Sequence, residues 1–112
     1  MGFFDRFRSG RRGGPGDDIA ADHRHLRDWA RARTGVEAFV EPQTSVTDVT
    51  VVLVAGDGEW TRRRVGGASG ARRLGEQLRI PVYDAQRVGY PQRMRDYDAR
   101  RRAERRRAAE EG

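Results

Sequence analysis

The apolar positions of this chain fall into helical, alternating and unbroken patterns, and each predicts an element. Ile19, His23, Leu26 and Ala30, with Trp29 beside them, return every three or four residues. They share one stripe of a helix running from Asp17 or Asp18 to about Arg33. Asp17, Asp18 and Asp22 suit its positive end, Arg31 and Arg33 its negative end, and Gly35 supplies a left-handed stop. Val36–Glu41 alternates and predicts a strand ended by Pro42. Thr47–Ala55 is β-branched and nearly apolar on both faces, as a central strand should be. Gly56-Asp57-Gly58-Glu59 predicts a tight hairpin with Asp57-Gly58 in a type I′ turn. The return strand is then Trp60–Val65, with Ala55 opposite Trp60 and Leu53 opposite Arg62. Trp60, Arg62 and Arg64 share one of its faces, and Thr61, Arg63 and Val65 the other.

Gly66–Gly70 reads as a loop, with Ser69 placed to cap a second helix that ends near Arg79 and buries Ala71, Leu74 and Leu78. Ile80–Asp84 predicts a short fourth strand, and Gly89-Tyr90-Pro91 turns the chain into a last helix. Beyond Tyr97 that helix has only alanine as an apolar residue, so it predicts a solvated arm with Asp96–Arg100 and Asp98–Arg102 as supporting pairs. The expected fold class is α+β: a small antiparallel sheet of three to four strands, packed by helices in the order α-β-β-β-α-β-α, with a C-terminal helical arm. Residues 1–16 are expected to form a flexible basic leader, 17–97 a single domain and 98–112 the Arg-rich arm. The first five elements, over about residues 18–79, are similar in order to the double-stranded RNA-binding domain. Ser69-Gly70-Ala71-Arg72-Arg73 stands where that family starts its second helix with basic residues. The resemblance is topological and carries no residue roles with it.

Composition sharpens this picture. With 36% of its 112 residues apolar and 36% charged, the chain builds a modest core with long polar ends. It has no cysteine, which excludes disulfides, thiolate nucleophiles and cysteine-held metals. No apolar run is long enough to span a membrane, and the expected location is the cytoplasm. All 23 basic residues are arginine, against 17 acids, for a net charge of +6. Residues 36–60 hold five acids and no base, whereas residues 61–95 hold nine arginines against Glu76 and Asp84. A basic block of that kind suits nucleic acid or another polyanion.

Candidate chemistry is sparse. His23 and His25 are two apart on a helix and point away from one another, so they do not clasp one metal ion. Ser45 and Ser69 lack a recognisable base, and no cofactor fingerprint is present. The glycine loop before the second helix suits either a phosphate or a plain turn. Binding residues are more legible. Arg62, Arg63 and Arg64 beside Trp60, Arg72 and Arg73 on the second helix, Arg93 and Arg95, and Arg101 and Arg105 in the arm suit RNA or ribosome contacts. Tyr90, Met94 and Tyr97 share one helical face and serve either to dock the arm or to anchor a protein partner. Phe3, Phe4 and Phe7 suit a weak membrane-surface contact. The expectation is therefore a non-enzymatic binding protein for RNA or the ribosome, with a protein–protein adaptor as the alternative.

Overall fold

The computed structural model describes residues 15–111, with side chains from Asp18 onward. The leader and its Phe3, Phe4 and Phe7 lie outside the described residues. The elements are α1 (Pro15–Arg31), β1 (Glu37–Glu41), β2 (Thr50–Val54), β3 (Trp60–Arg64), α2 (Gly67–Leu78), β4 (Val82–Asp84), α3 (Ala85–Val88) and α4 (Gln92–Glu111). The fold is α+β, as its patterning implies. The sheet has the order β3-β2-β1-β4. The first three strands form an antiparallel meander, while β4 joins the free edge of β1 in parallel, so the sheet is mixed. A parallel neighbour needs a long crossover, and α2 supplies it by carrying the chain from β3 on one edge to β4 on the other.

Two apolar layers sandwich the sheet. On one face Leu26, Trp29 and Ala30 of α1 and Ala71 and Leu74 of α2 cover Ala38, Val51 and Leu53. On the other face Phe39, Val52 and Val54 meet Ala85 of α3 and Met94 of α4, flanked by Trp60 and Tyr90. This double coverage is why β2 is an unbroken β-branched run: Val51, Val52, Leu53 and Val54 are all 0–1% exposed. It also departs from a five-element unit, because α3 and α4 roof the face that α1 and α2 leave bare.

Several local expectations are corrected. α1 starts at Pro15, ahead of the expected aspartate caps, with proline's fixed φ fitting a first helical position. β2 begins at Thr50 because Thr44–Thr47 closes a turn of its own, in which the Thr44 hydroxyl accepts from the amides of Val46 and Thr47. Ser69 lies inside α2 and does not cap it; the N-cap is Gly66, with φ 80°. The hairpin loop is one residue longer than expected. The Ala55 amide donates to the Glu59 carbonyl across Gly56-Asp57-Gly58, with Gly58 at φ 95°, so Trp60 pairs with Val54 and Arg62 with Val52. That single-residue slip turns the whole of β3 over relative to β2. Trp60 and Arg62 consequently stand on the face roofed by α4, together with Glu37, Phe39 and Glu41 of β1.

Candidate nucleic-acid interface

The strand arginines are exposed, yet each is paired with a carboxylate of the same chain. Arg62 donates in a fork to Glu41, Nε to Oε1 at 2.7 Å and Nη2 to Oε2 at 2.9 Å, and its guanidinium lies 5.3 Å from the Trp60 ring centre. Thr50 Oγ1 donates to the same carboxylate at 2.7 Å, and the Tyr90 hydroxyl donates to it as well. Burial pushes the Glu41 carboxyl up, but the donors Arg62, Thr50 and Tyr90 outweigh it and hold the group at about 2. The same site raises the Tyr90 hydroxyl, first through burial and then through the hydrogen bond to Glu41. Thr44, Thr47 and Gln86 complete a cleft of about 440 Å³ over this cluster. Arg63 and Arg64 both reach Asp22 of α1, at 3.7 and 3.3 Å. Arg93 donates to Glu37 at 2.7 Å and to the Ala55 carbonyl at 2.9 Å, tying α4 to β1 and β2.

Histidines and tyrosines are likewise spent on architecture. His23 Nε2 lies 2.7 Å from the Val65 carbonyl, joining α1 to the end of β3, while His25 Nε2 lies 2.8 Å from Thr61 Oγ1. Burial, helped by the charge of Arg63, pushes the His25 imidazole below its ordinary value. The two rings serve different neighbours. Met94 is buried and Tyr97 half-buried on α4, but Tyr90 precedes the helix and so does not share its face; half-buried beside Phe39, it helps dock the entry to α4 on the body. Asp98 extends that dock by accepting the Trp60 indole proton at 2.9 Å, and Asp96 accepts from Gln92 at 3.0 Å. Neither expected pair with Arg100 or Arg102 forms; Arg100 donates instead to the Asp57 carbonyl in the hairpin loop.

Other arginines are left open. Arg72 and Arg73 are exposed on the first turns of α2 and form no ion pair among the described residues. Arg95 bonds only to neutral groups, the Gln92 amide oxygen and the Tyr90 carbonyl. In the arm, Arg101 is paired with Glu104 at 3.1 Å, while Arg102, Arg105, Arg106 and Arg107 are exposed without an ion pair among the described residues. These groups divide by position. Arg72 and Arg73 are carried by α2 on one face of the sheet, whereas α4 packs on the other face and its arm leaves from the hairpin end, where Arg100 meets Asp57.

Sequence reasoning missed two features that organise the site. Arg33 forks to Glu59, Nε to Oε1 at 3.0 Å and Nη2 to Oε2 at 2.9 Å, and lies 4.2 Å over Trp29, which pins the end of α1 to the hairpin. Glu41 gathers donors from three later segments. The alternation Glu37-Ala-Phe-Val-Glu41 already placed both acids on one strand face; only the true register of β3 brings Arg62 opposite them. Comparison of the chain with protein-family models, with curated proteins and with solved structures finds no match.

Proposed function

We propose that this chain is a small non-enzymatic cytoplasmic protein that binds RNA, free or in the ribosome, through the arm of α4. The observation that carries the reading is the run of six arginines from Arg100 to Arg107 on an exposed helix, with one ion pair among the described residues. Residues 99–111 span about 20 Å at 1.5 Å per residue. Successive residues are turned by about 100°, so the six guanidinium groups point around the whole circumference. A helix with that distribution has no face to bury against protein, yet it can meet phosphates on both sides of a groove at once. Glu104, Glu110 and Glu111 offset half of its charge, so binding is salt-sensitive and modest in strength. An adaptor role anchored on Tyr90, Met94 and Tyr97 has less surface to draw on, because those side chains already hold α4 to the sheet.

The test is a fluorescence-anisotropy titration against a labelled 20-nucleotide RNA over a range of salt. The expected result is measurable affinity at low salt with a steep logarithmic slope. Arg101→Glu, Arg105→Glu and Arg106→Glu together should flatten that slope by about 2, at roughly 0.7 per lost single-strand phosphate contact. Reversing Arg72 and Arg73, on the sheet's opposite face, should change it less. Absent binding at low salt, or a slope indifferent to the arm, would remove the proposal.

A further inference from the structure

We propose that the cleft between β4 and the start of α4 is a stacking site for a single unpaired nucleobase. The inference rests on the RNA reading above and assigns that partner a second contact on the body. The cleft, about 230 Å³, is walled by Phe39, Tyr83, Val88, Tyr90 and Pro91, with Glu37 among its lining residues. Tyr83 is the register partner of Phe39, and its ring stacks on the phenylalanine at 5.4 Å between centres and 29° between planes. Tyr90 flanks the same phenylalanine at 6.1 Å. Core aromatics normally disappear from the surface, yet Tyr83 stays 38% exposed and Val88 57% exposed, beside the sheet edge that β4 leaves unpaired among the described residues.

The polar groups fit a base in particular. Glu37 accepts the Tyr83 hydroxyl on one oxygen at 3.2 Å and Arg93 on the other at 2.7 Å, while the stack on Phe39 sets the plane of the tyrosine ring. Each carboxylate oxygen retains acceptor capacity for the exocyclic amino group of adenine, cytosine or guanine. Arg95 bonds the Tyr90 carbonyl at the cleft's wall, and Arg87 immediately precedes Val88; neither has an ion pair among the described residues. An uncompensated guanidinium group, that of Arg95, on the aromatic wall matches a strand whose bases are flat and whose backbone is anionic. A neutral proline-rich segment, the other guest that aromatic grooves accept, brings no charge to match it.

The experiment compares the full chain with Tyr83→Leu, which keeps an apolar side chain on Phe39 but removes the flat ring, and with Tyr83→Phe, which keeps the ring. Affinity is measured for a single-stranded RNA and for a duplex of equal length at fixed salt. Stacking predicts that Tyr83→Leu weakens single-strand binding by about tenfold and leaves the duplex unchanged, while Tyr83→Phe behaves as the parent. Equal affinities for parent and Tyr83→Leu on the single strand would overturn the stacking site while leaving the arm's role to its own charge-reversal test. Parallel losses on both RNAs would also overturn it, as would a decaproline peptide that binds in a Tyr83-dependent way while RNA affinity is unmoved. A parent chain that binds neither RNA would instead fail the reading beneath it.

Discussion

A single carboxylate does much to hold this molecule's second face together. Glu41 accepts from Arg62, Thr50 and Tyr90, so one side chain on β1 collects β3, β2 and the entry to α4. Its depressed value has a definite sign. Stability from the ionised group is fully present above about 4.5, the carboxyl's ordinary value, and is lost as pH falls toward about 2. Glu41→Gln should therefore cost roughly 1–2 kcal/mol at pH 7, allowing for solvent screening of a partly open pair. Urea melts at stepped pH check this: the parent should lose stability across that acid window more steeply than the variant. Gly70 offers a second residue-scale prediction. A Cβ there would overlap the Val65 carbonyl, beside the His23 ring, where the first turn of α2 stands on the end of β3. Gly70→Ala should destabilise the fold by about 1–3 kcal/mol, measurable as a lower denaturation midpoint. Arg62 shows the limit of reading residues singly. Its type suits phosphate, and only its place on the same sheet face as Glu41 turns it into a clamp within the chain.

At the scale of elements, α4 is two structures in one helix. Its first half is held by Met94 in the core, by Arg93 on the Ala55 carbonyl and by Asp98 on Trp60, and it crosses the hairpin where Gly58 leaves room. Gly58 has φ 95°, and a Cβ on it would overlap the Arg93 carbonyl and crowd Tyr97. Gly58→Ala should lift α4 from the sheet, read as faster amide exchange in residues 92–98. The second half buries nothing. Deleting residues 101–112 should leave the thermal midpoint of the body nearly unchanged while greatly weakening RNA binding, so one truncation separates stability from function. The helix, strand and arm were legible because each follows a period in its own residues. The hairpin register was not: Asp57-Gly58 suits a two-residue loop, and nothing local tells that loop from the three-residue loop that Gly58's positive φ also supports. α3 was missed for a similar reason, being one turn whose cap, Asp84 accepting from the Gln86 amide, is also the last residue of β4.

Across the whole molecule, the charge asymmetry along the chain becomes internal pairing. The acidic stretch contributes Glu37, Glu41 and Glu59, and these receive Arg93, Arg62 and Arg33 from three other segments. Half-buried pairs of this kind form because leaving either charge alone against the sheet would cost more than solvating it. The surplus positive charge is thereby displaced to α2 and the arm, whose helices pack on opposite faces of the sheet. Contact with a long polyanion should accordingly depend on the arm first, with Arg72 and Arg73 as a remote second site. Among the described residues no helix is long and apolar enough to cross a membrane.

By itself the amino-acid order determined the helices and strands, the α+β class, the burial of β2 on both faces and the polar character of the last helix, because each depends on neighbours a few positions away. Tertiary structure alone decided that β4 runs parallel beside β1, that β3 turns Arg62 toward Glu41, and which arginines remain open. Those outcomes depend on groups 21 to 56 positions apart meeting across the sheet, where a shift of one residue in register exchanges every partner.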